Sequence, residues 1–289
     1  MMDVRLQASD IATQEATPGA PVRRGHSQER LRADLDRLGL IEGAVVLVHA
    51  SMRRVAPLGA NPSIVAASLI DVLGPTGTLV VPTQTAWNST TSRAFRKATA
   101  GMTPGQVAAY KDSLPPFDAQ RTPSSGMGAL AEEVRTLPQA VRSSHPQTSF
   151  AAVGAHAQEL MSVHLLDCHL GEKSPLGALY ANNALVLMLG TGYDTSTAFH
   201  LAEYRLVPRR VRPYECLIAD EAAASASGHA WTGFTDIELD DSDFGKLGRQ
   251  FARKTKIVRK ARVGSAVARL YPLRSAVDFA EQWMRKHRR

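Results

Sequence analysis

Cysteine is nearly absent: Cys168 and Cys216 are the only two in 289 residues. Two thiols build neither a disulfide framework nor a cysteine-based zinc site. They read as packed or idle thiols of a reducing compartment. No apolar run approaches the roughly 20 residues that a membrane helix needs. Residues 1–25 carry Asp3, Asp10 and Glu15 and no apolar stretch, which is not the pattern of a signal peptide. The reading is a loose extension over 1–25, a single domain over 26–289 and a cytoplasmic location. Nucleotide and hydrolase signatures are missing too. There is no Gly-x-x-x-x-Gly-Lys-Ser/Thr loop and no Gly-x-Ser-x-Gly elbow, and Gly190-Thr-Gly192 lacks the remaining glycine of a dinucleotide fingerprint. Without zinc-finger spacing, an RNP motif or a basic stripe interleaved with aromatics, no nucleic-acid partner is expected.

What is present is an ordinary globular composition, 44% hydrophobic and 21% charged, enough for a proper core. Lys and Arg number 34 against 27 Asp and Glu. Much of the excess lies between Arg249 and Arg262 and in Arg285, Lys286, Arg288 and Arg289, a pattern that fits a solvated basic face as well as an anionic cofactor.

Ser27 offers an N-cap and Glu29 a first-turn carboxylate to a helix carrying Leu31, Leu35 and Leu38. Val45 to Val48, Leu79 to Val81 and Leu185 to Leu189 read as buried strands, each followed by polar residues or glycine. That is where α/β folds place ligands. Strand, helix (62–73), strand makes a βαβ unit. The polar stretch 83–122 is too long for an ordinary connection and reads as a lid or a poorly ordered insert. Beyond about Val211, residues 215–218 and 231–239 look like strands of a more antiparallel portion, and 275–286 like a final helix.

Four segments carry candidate chemistry. Gly190 to Glu203 opens a strand into hydroxyls and a helix, on which His200 and Glu203 stand at i and i+3. An imidazole with a carboxylate partner suits a general base near neutral pH, although a structural histidine bonded to backbone fits the same pattern. Asp236 to Asp243 holds five carboxylates. Strand alternation puts Asp236, Glu238 and Asp240 on one side, as a cation or amino-sugar site or as a solvated acidic turn. Arg142, Ser144 and His145 share a run of hydroxyls and amides that fits a phosphate group, or only a polar loop. His164 to Gly177, including His169 and Glu172, reads as a substrate-contacting loop, because its histidine spacing matches no standard metal signature.

These segments together resemble the aminoglycoside 3-N-acetyltransferase family. The resemblance rests on 48–53, 77–85, 115–118 with Thr122 and Pro123, 142–146, 170–175, and the run from Gly190 through His200 to Glu203. It spans about Leu31 to Phe279. The Arg/Gln-x-x-Gly-x-Gly/Ala turn of GNAT acetyltransferases is missing, and the family's fold is a different one. The resemblance implies a three-layer α/β/α sandwich with a mixed, partly parallel central sheet and a smaller C-terminal antiparallel portion. It further implies acetyl-CoA as co-substrate, no metal, and a polycationic aminoglycoside as acceptor; it leaves room for a homodimer.

Carried over by position, the family's essential histidine falls on His200. Counting back from Phe244 puts its acidic partners on Asp236 and Glu238, and a slip in register would move the role to Asp240. A further family carboxylate, after the second strand, aligns with Asn88, a departure that bears on which amino sugar is accepted. The implied site has His200 as base with Glu203 and Asp236. Thr197 or a nearby amide is the oxyanion donor, Ser51, Arg53, Arg142, Ser144 and His145 lie on the CoA side, and Asp236, Glu238, Asn88 and Glu172 lie on the amino-sugar side. The rivals are an enzyme of the same family acting on another amine, a zinc hydrolase using His145, His164, His169 and His200, and a nucleic-acid binder.

Overall fold

A computed structural model describes residues 27–55, 61–85, 87–219 and 229–288; the expected extension over 1–25 and Arg289 lie outside them. Nine strands occur among these residues: β1 (Val45–Ala50), β2 (Thr78–Pro82), β3 (Val141–Arg142), β4 (Phe150–Gly154), β5 (Leu185–Leu189), β6 (Val211–Ala219), β7 (His229–Ile237), β8 (Arg259–Val263) and β9 (Ala266–Pro272). Seven form one sheet in the order β3-β4-β2-β1-β5-β9-β8, and β6 pairs with β7 as a separate hairpin. β1 runs parallel to both β2 and β5, while β4, β9 and β8 add antiparallel flanks. The mixed sheet with an additional antiparallel piece is the expected architecture.

The three layers follow from strand alternation. Side chains two apart share a face, so Val46 and Val48 of β1 enter one core while Val45 and Leu47 enter the other. The first core is closed by the helices Gln28–Leu38, Pro62–Leu73 and Ala129–Arg135, through Leu31, Leu35, Leu69 and Val134. The second is closed by Pro175–Ala181, Phe244–Thr255 and Leu273–His287, through Leu176, Phe251, Val277 and Trp283. Burying each such side chain contributes about 1.5–3 kcal/mol before chain entropy is counted. Ser27 caps the first helix as its sequence position suggests, its Oγ accepting from the Arg30 N–H at 3.3 Å.

Two expectations change. The 83–122 stretch holds the helices Arg93–Ala98 and Pro104–Ser113 and is built onto the hairpin. The Thr90 amide donates to Glu215, that of Leu217 to Asn88 and that of Phe117 to Leu217. Phe95 meets Trp231 edge-on at 5.8 Å, and Lys111 pairs with Glu215 at 2.9 Å. Strand β7 ends at Ile237, so Glu238 and Asp240 lie past the strand and alternation with Asp236 does not extend to them. Among the described residues, no helix is long and apolar enough to cross a membrane.

Candidate active site

The parallel strands β1, β2 and β5 all end at one edge of the sheet, and a cleft of about 380 Å³ opens there. Its lining comes from strand ends (His49, Pro82), the 84–131 segment (Gln84, Met127), the loop before β4 (Gln147, Thr148), the 191–200 turn and the 239–244 loop. Gly190, directly after β5, adopts φ +73°, and a Cβ there would meet Arg54 and Ala266 side-chain atoms at 3.1 and 3.2 Å. Only glycine turns the chain into the site at that spot without strain.

After this turn, residues Thr197–Phe199 form one 3₁₀ turn and His200–Glu203 one helical turn. His200 and Glu203 therefore meet at i and i+3. His200 Nδ1–H donates to Glu203 Oε2 at 2.6 Å, an assignment required because a carboxylate oxygen only accepts. Nε2 is left for the cleft, which His200 lines. Glu203 is buried and its other oxygen accepts from the Asp240 N–H at 3.1 Å and from Arg288. The ring of Phe244 stands 4.7 Å from that of His200. Thr197 also lines the cleft, with Oγ1 3.3 Å from Nε2 of His49. Burial lowers the His49 pKa to about 4, so this imidazole is neutral at physiological pH.

Other residues expected in the site do not line the cleft. Asp236 is buried outside the cleft lining. Its Oδ2 accepts from the His169 amide (2.7 Å), His169 Nδ1 (2.6 Å) and Tyr204 OH (2.6 Å), and its Oδ1 from the Ile237 amide (2.7 Å). Burial pushes its pKa up, but the His169, Tyr204 and Ile237 donors outweigh that and leave it lowered.

Arg142 is likewise occupied internally. Nε reaches Thr83 and Ser149 hydroxyls at 3.1 Å, and the other nitrogens donate to the carbonyls of Thr83, Ala119 and Thr122. Burial, and then Arg135, lower its pKa to about 10. His145 Nδ1 accepts from the amides of Gln147 and Thr148, so Nε2–H donates to Leu166 O. Ser144, Arg53, Glu172 and Glu238 are exposed and Ser51 is half-buried; Glu172 pairs with Arg205 at 2.7 Å. Asn88 is fully buried, its side-chain oxygen and nitrogen both lack a partner, and it does not line the cleft.

The histidines that a zinc hydrolase would need are engaged with their own neighbours. His164 donates through Nε2 to His169 O and accepts at Nδ1 from the Ser143 hydroxyl, which itself receives the Phe150 amide. Burial lowers the His164 pKa to about 3, and that of His145 well below its ordinary value. Among the described residues, no group of three or more His, Cys, Asp or Glu is placed to hold a metal.

A cleft at the ends of parallel strands, with an imidazole–carboxylate pair on its rim, is the arrangement expected from the resemblance. The model of the aminoglycoside 3-N-acetyltransferase family matches residues 47–285. The chain belongs to this family. It is 35% identical to the YokD protein of Bacillus subtilis, an aminoglycoside N(3')-acetyltransferase-like protein, over 89% of this chain and 92% of that one. It is 30% identical to aminoglycoside N(3)-acetyltransferase III of Pseudomonas aeruginosa, over 90% and 93%. The YokD crystal structure superposes with a TM-score of 0.82 at 32% identity, covering 91% of this chain and 96% of that one. The AAC-IIIb binary complex with CoASH gives 0.77 at 29% identity (90% and 97%), and AAC-VIa bound to sisomicin gives 0.75 at 28% (90% and 98%).

Within this family member, sequence reasoning passes over His49, Gln147, Asp194, Asp241 and Arg288. His49 and Asp194 stand inside segments that the sequence does single out, at a strand end and after Gly192, and their position is the available signal. Asp241 lines the cleft from the same acidic run in which the sequence points to Asp236. Gln147 stands in the run of hydroxyls and amides after Arg142, whereas Arg288 gives no local signal, because only tertiary contacts bring it to the site.

Proposed function

We propose that this protein transfers the acetyl group of acetyl-CoA to the 3-amino group of a 2-deoxystreptamine aminoglycoside, acting in the cytoplasm. The observation that carries the mechanism is the His200–Glu203 pair, with Nδ1 held and Nε2 left for the cleft. The amine attacks the thioester carbonyl carbon and passes its proton to His200 Nε2. The C–S bond then breaks, and the departing thiolate is protonated. No covalent enzyme intermediate is needed, because the thioester is already activated. A positioned base contributes roughly 10²–10⁴-fold, and holding amine and thioester together supplies the remainder.

Charge developing on the thioester oxygen requires a donor, and Thr197, at the cleft wall beside His49, supplies one. The lining mixes Val48, Val81, Pro82, Met127 and Leu130 with Gln84, Gln147 and Thr148, a surface suited to the pantetheine arm and to a hydroxyl-rich sugar. Ser51 and Arg53, just beyond β1, are the residues we assign to the CoA phosphates; Arg142 and His145 we assign to holding the site walls. Asp194 and Asp241, exposed carboxylates of the lining, are assigned to the ammonium groups of the acceptor.

Thiol release from acetyl-CoA in the presence of gentamicin, neomycin or paromomycin, with wild type and His200→Ala compared, tests this reading. Turnover by wild type and a loss of about 10²–10⁴-fold in kcat in the variant are expected. Undiminished turnover in the variant would remove His200 as base, and silence with all three amines would remove the acceptor class.

A further inference from the structure

Glu203 holds His200 with one oxygen, and one of the two groups on its other oxygen lies 85 residues away. Arg288 reaches Glu203 Oε1 through Nη1, Asp243 through Nε (2.8 Å, Oδ2) and Nη2 (Oδ1), and the Asp240 carbonyl through Nη2 at 2.6 Å. We propose that Arg288 is a positioning residue of the transfer site, fixing Glu203 behind His200 and tying the 239–244 wall of the cleft to that pair. This inference rests on the reading of His200 as the base.

The geometry is a fork that only a guanidinium provides. Three nitrogens in one plane serve three residues, two of them through ionic hydrogen bonds. All three partners belong to the dyad or to the loop that forms the adjoining wall. Leu239, Asp241 and Phe244 of this loop line the cleft, and the Phe244 ring lies 4.7 Å from that of His200 and 5.7 Å from the guanidinium. Glu203 Oε1 also takes the Asp240 amide, so carboxylate, loop and guanidinium form a closed network. Burial works against the cation, but Asp243 and Glu203 outweigh it and raise the Arg288 pKa above its ordinary value. Without Arg288, Glu203 loses its charged partner while remaining buried, and Asp243 loses the contact that anchors the loop.

The charged and titratable groups around His200 are Glu203, Arg288, Asp240 and Asp243 behind it, and His49, Asp194 and Asp241 along the cleft. Arg288 is the cation among them.

The test is kcat and KM for wild type, Arg288→Gln, Arg288→Lys and His200→Ala, with folded fraction taken from circular dichroism. For Arg288→Gln, kcat/KM is expected to fall about tenfold per folded molecule, the loss lying in kcat while KM for acetyl-CoA holds. Arg288→Lys keeps the charge but not the fork; it restores part of kcat while KM for the amine rises as the loop loosens. Wild-type kcat and KM in Arg288→Gln, with His200→Ala inactive, would overturn the inference and leave the base intact. The inference is equally overturned if Arg288→Gln only lowers the folded fraction. Full turnover by His200→Ala would instead overturn the reading beneath it.

Discussion

Tyr204 donates its hydroxyl to the same oxygen of Asp236 that receives both the side chain and the amide of His169, at 2.6 Å. Four donors converge on this carboxylate, which is buried and does not line the cleft. It ties the end of β7 to the 164–177 loop. Leaving a buried donor without its acceptor costs about 1–3 kcal/mol. Asp236→Ala is therefore expected to lose stability of that order in urea titrations while retaining turnover per folded molecule. Because the folded-state pKa of Asp236 is lowered, its contribution is fully present above the unfolded value near 4 and fades as pH falls through the folded value. Asp236→Asn should flatten the stability profile in that acid range; an unchanged profile would contradict the assignment.

The oxyanion role of Thr197 predicts a loss in kcat without a matching loss in binding. Thr197→Val should reduce kcat by about 10²-fold, at the low end for a single oxyanion donor, with KM for acetyl-CoA nearly constant. Thr197→Ser, which keeps the hydroxyl, should recover most of the activity. Equal kcat in the Val and Ser variants would eliminate the hydroxyl as donor.

Three buried imidazoles make the protein acid-sensitive. His49, His145 and His164 have pKa values lowered by burial, to about 4 for His49 and about 3 for His164, whereas the unfolded chain protonates near 6.5. A depressed folded value contributes stability above the unfolded value and loses it as pH falls. With three extra protons bound by the unfolded state, stability should drop by about 4 kcal/mol per pH unit between pH 6 and 4. Denaturant midpoints measured at half-unit intervals would display this slope, and His164→Gln should reduce it by about one third.

Asn88 tests the sequence expectation that this position tunes the acceptor. Its carboxamide is fully buried with neither atom paired, a costly arrangement of about 1–3 kcal/mol. Asn88→Leu is expected to leave the KM for each aminoglycoside unchanged and to raise stability by about 1 kcal/mol. An altered acceptor preference would restore a specificity role.

The framework was legible because its signals are local. The apolar runs over 45–48, 79–81 and 185–189 are buried strands wherever they pair, and the His200–Glu203 spacing becomes a contact as soon as a helical turn forms. What the sequence hid is non-local. Asp236 and Asp241 are both acids in one run, and only the end of β7 at Ile237 decides which of them faces the cleft. Arg142 carries a phosphate binder's chemistry, but the 83–122 segment folds back and presents its carbonyls to that guanidinium. Arg288 sits in a basic stretch indistinguishable from a solvated face until Glu203 and Asp243 meet it.

With Nδ1 held by Glu203, His200 has a single nitrogen through which both proton movements of a turnover must pass. The proton taken from the amine is then the one returned to the thiolate, and the chemical step itself is proton-neutral. An acceptor that arrives as an ammonium must shed one further proton to solvent before attack. The enzyme therefore acidifies an unbuffered solution in proportion to the charge state of its acceptor, and a pH-stat trace read beside thiol release reports that charge directly.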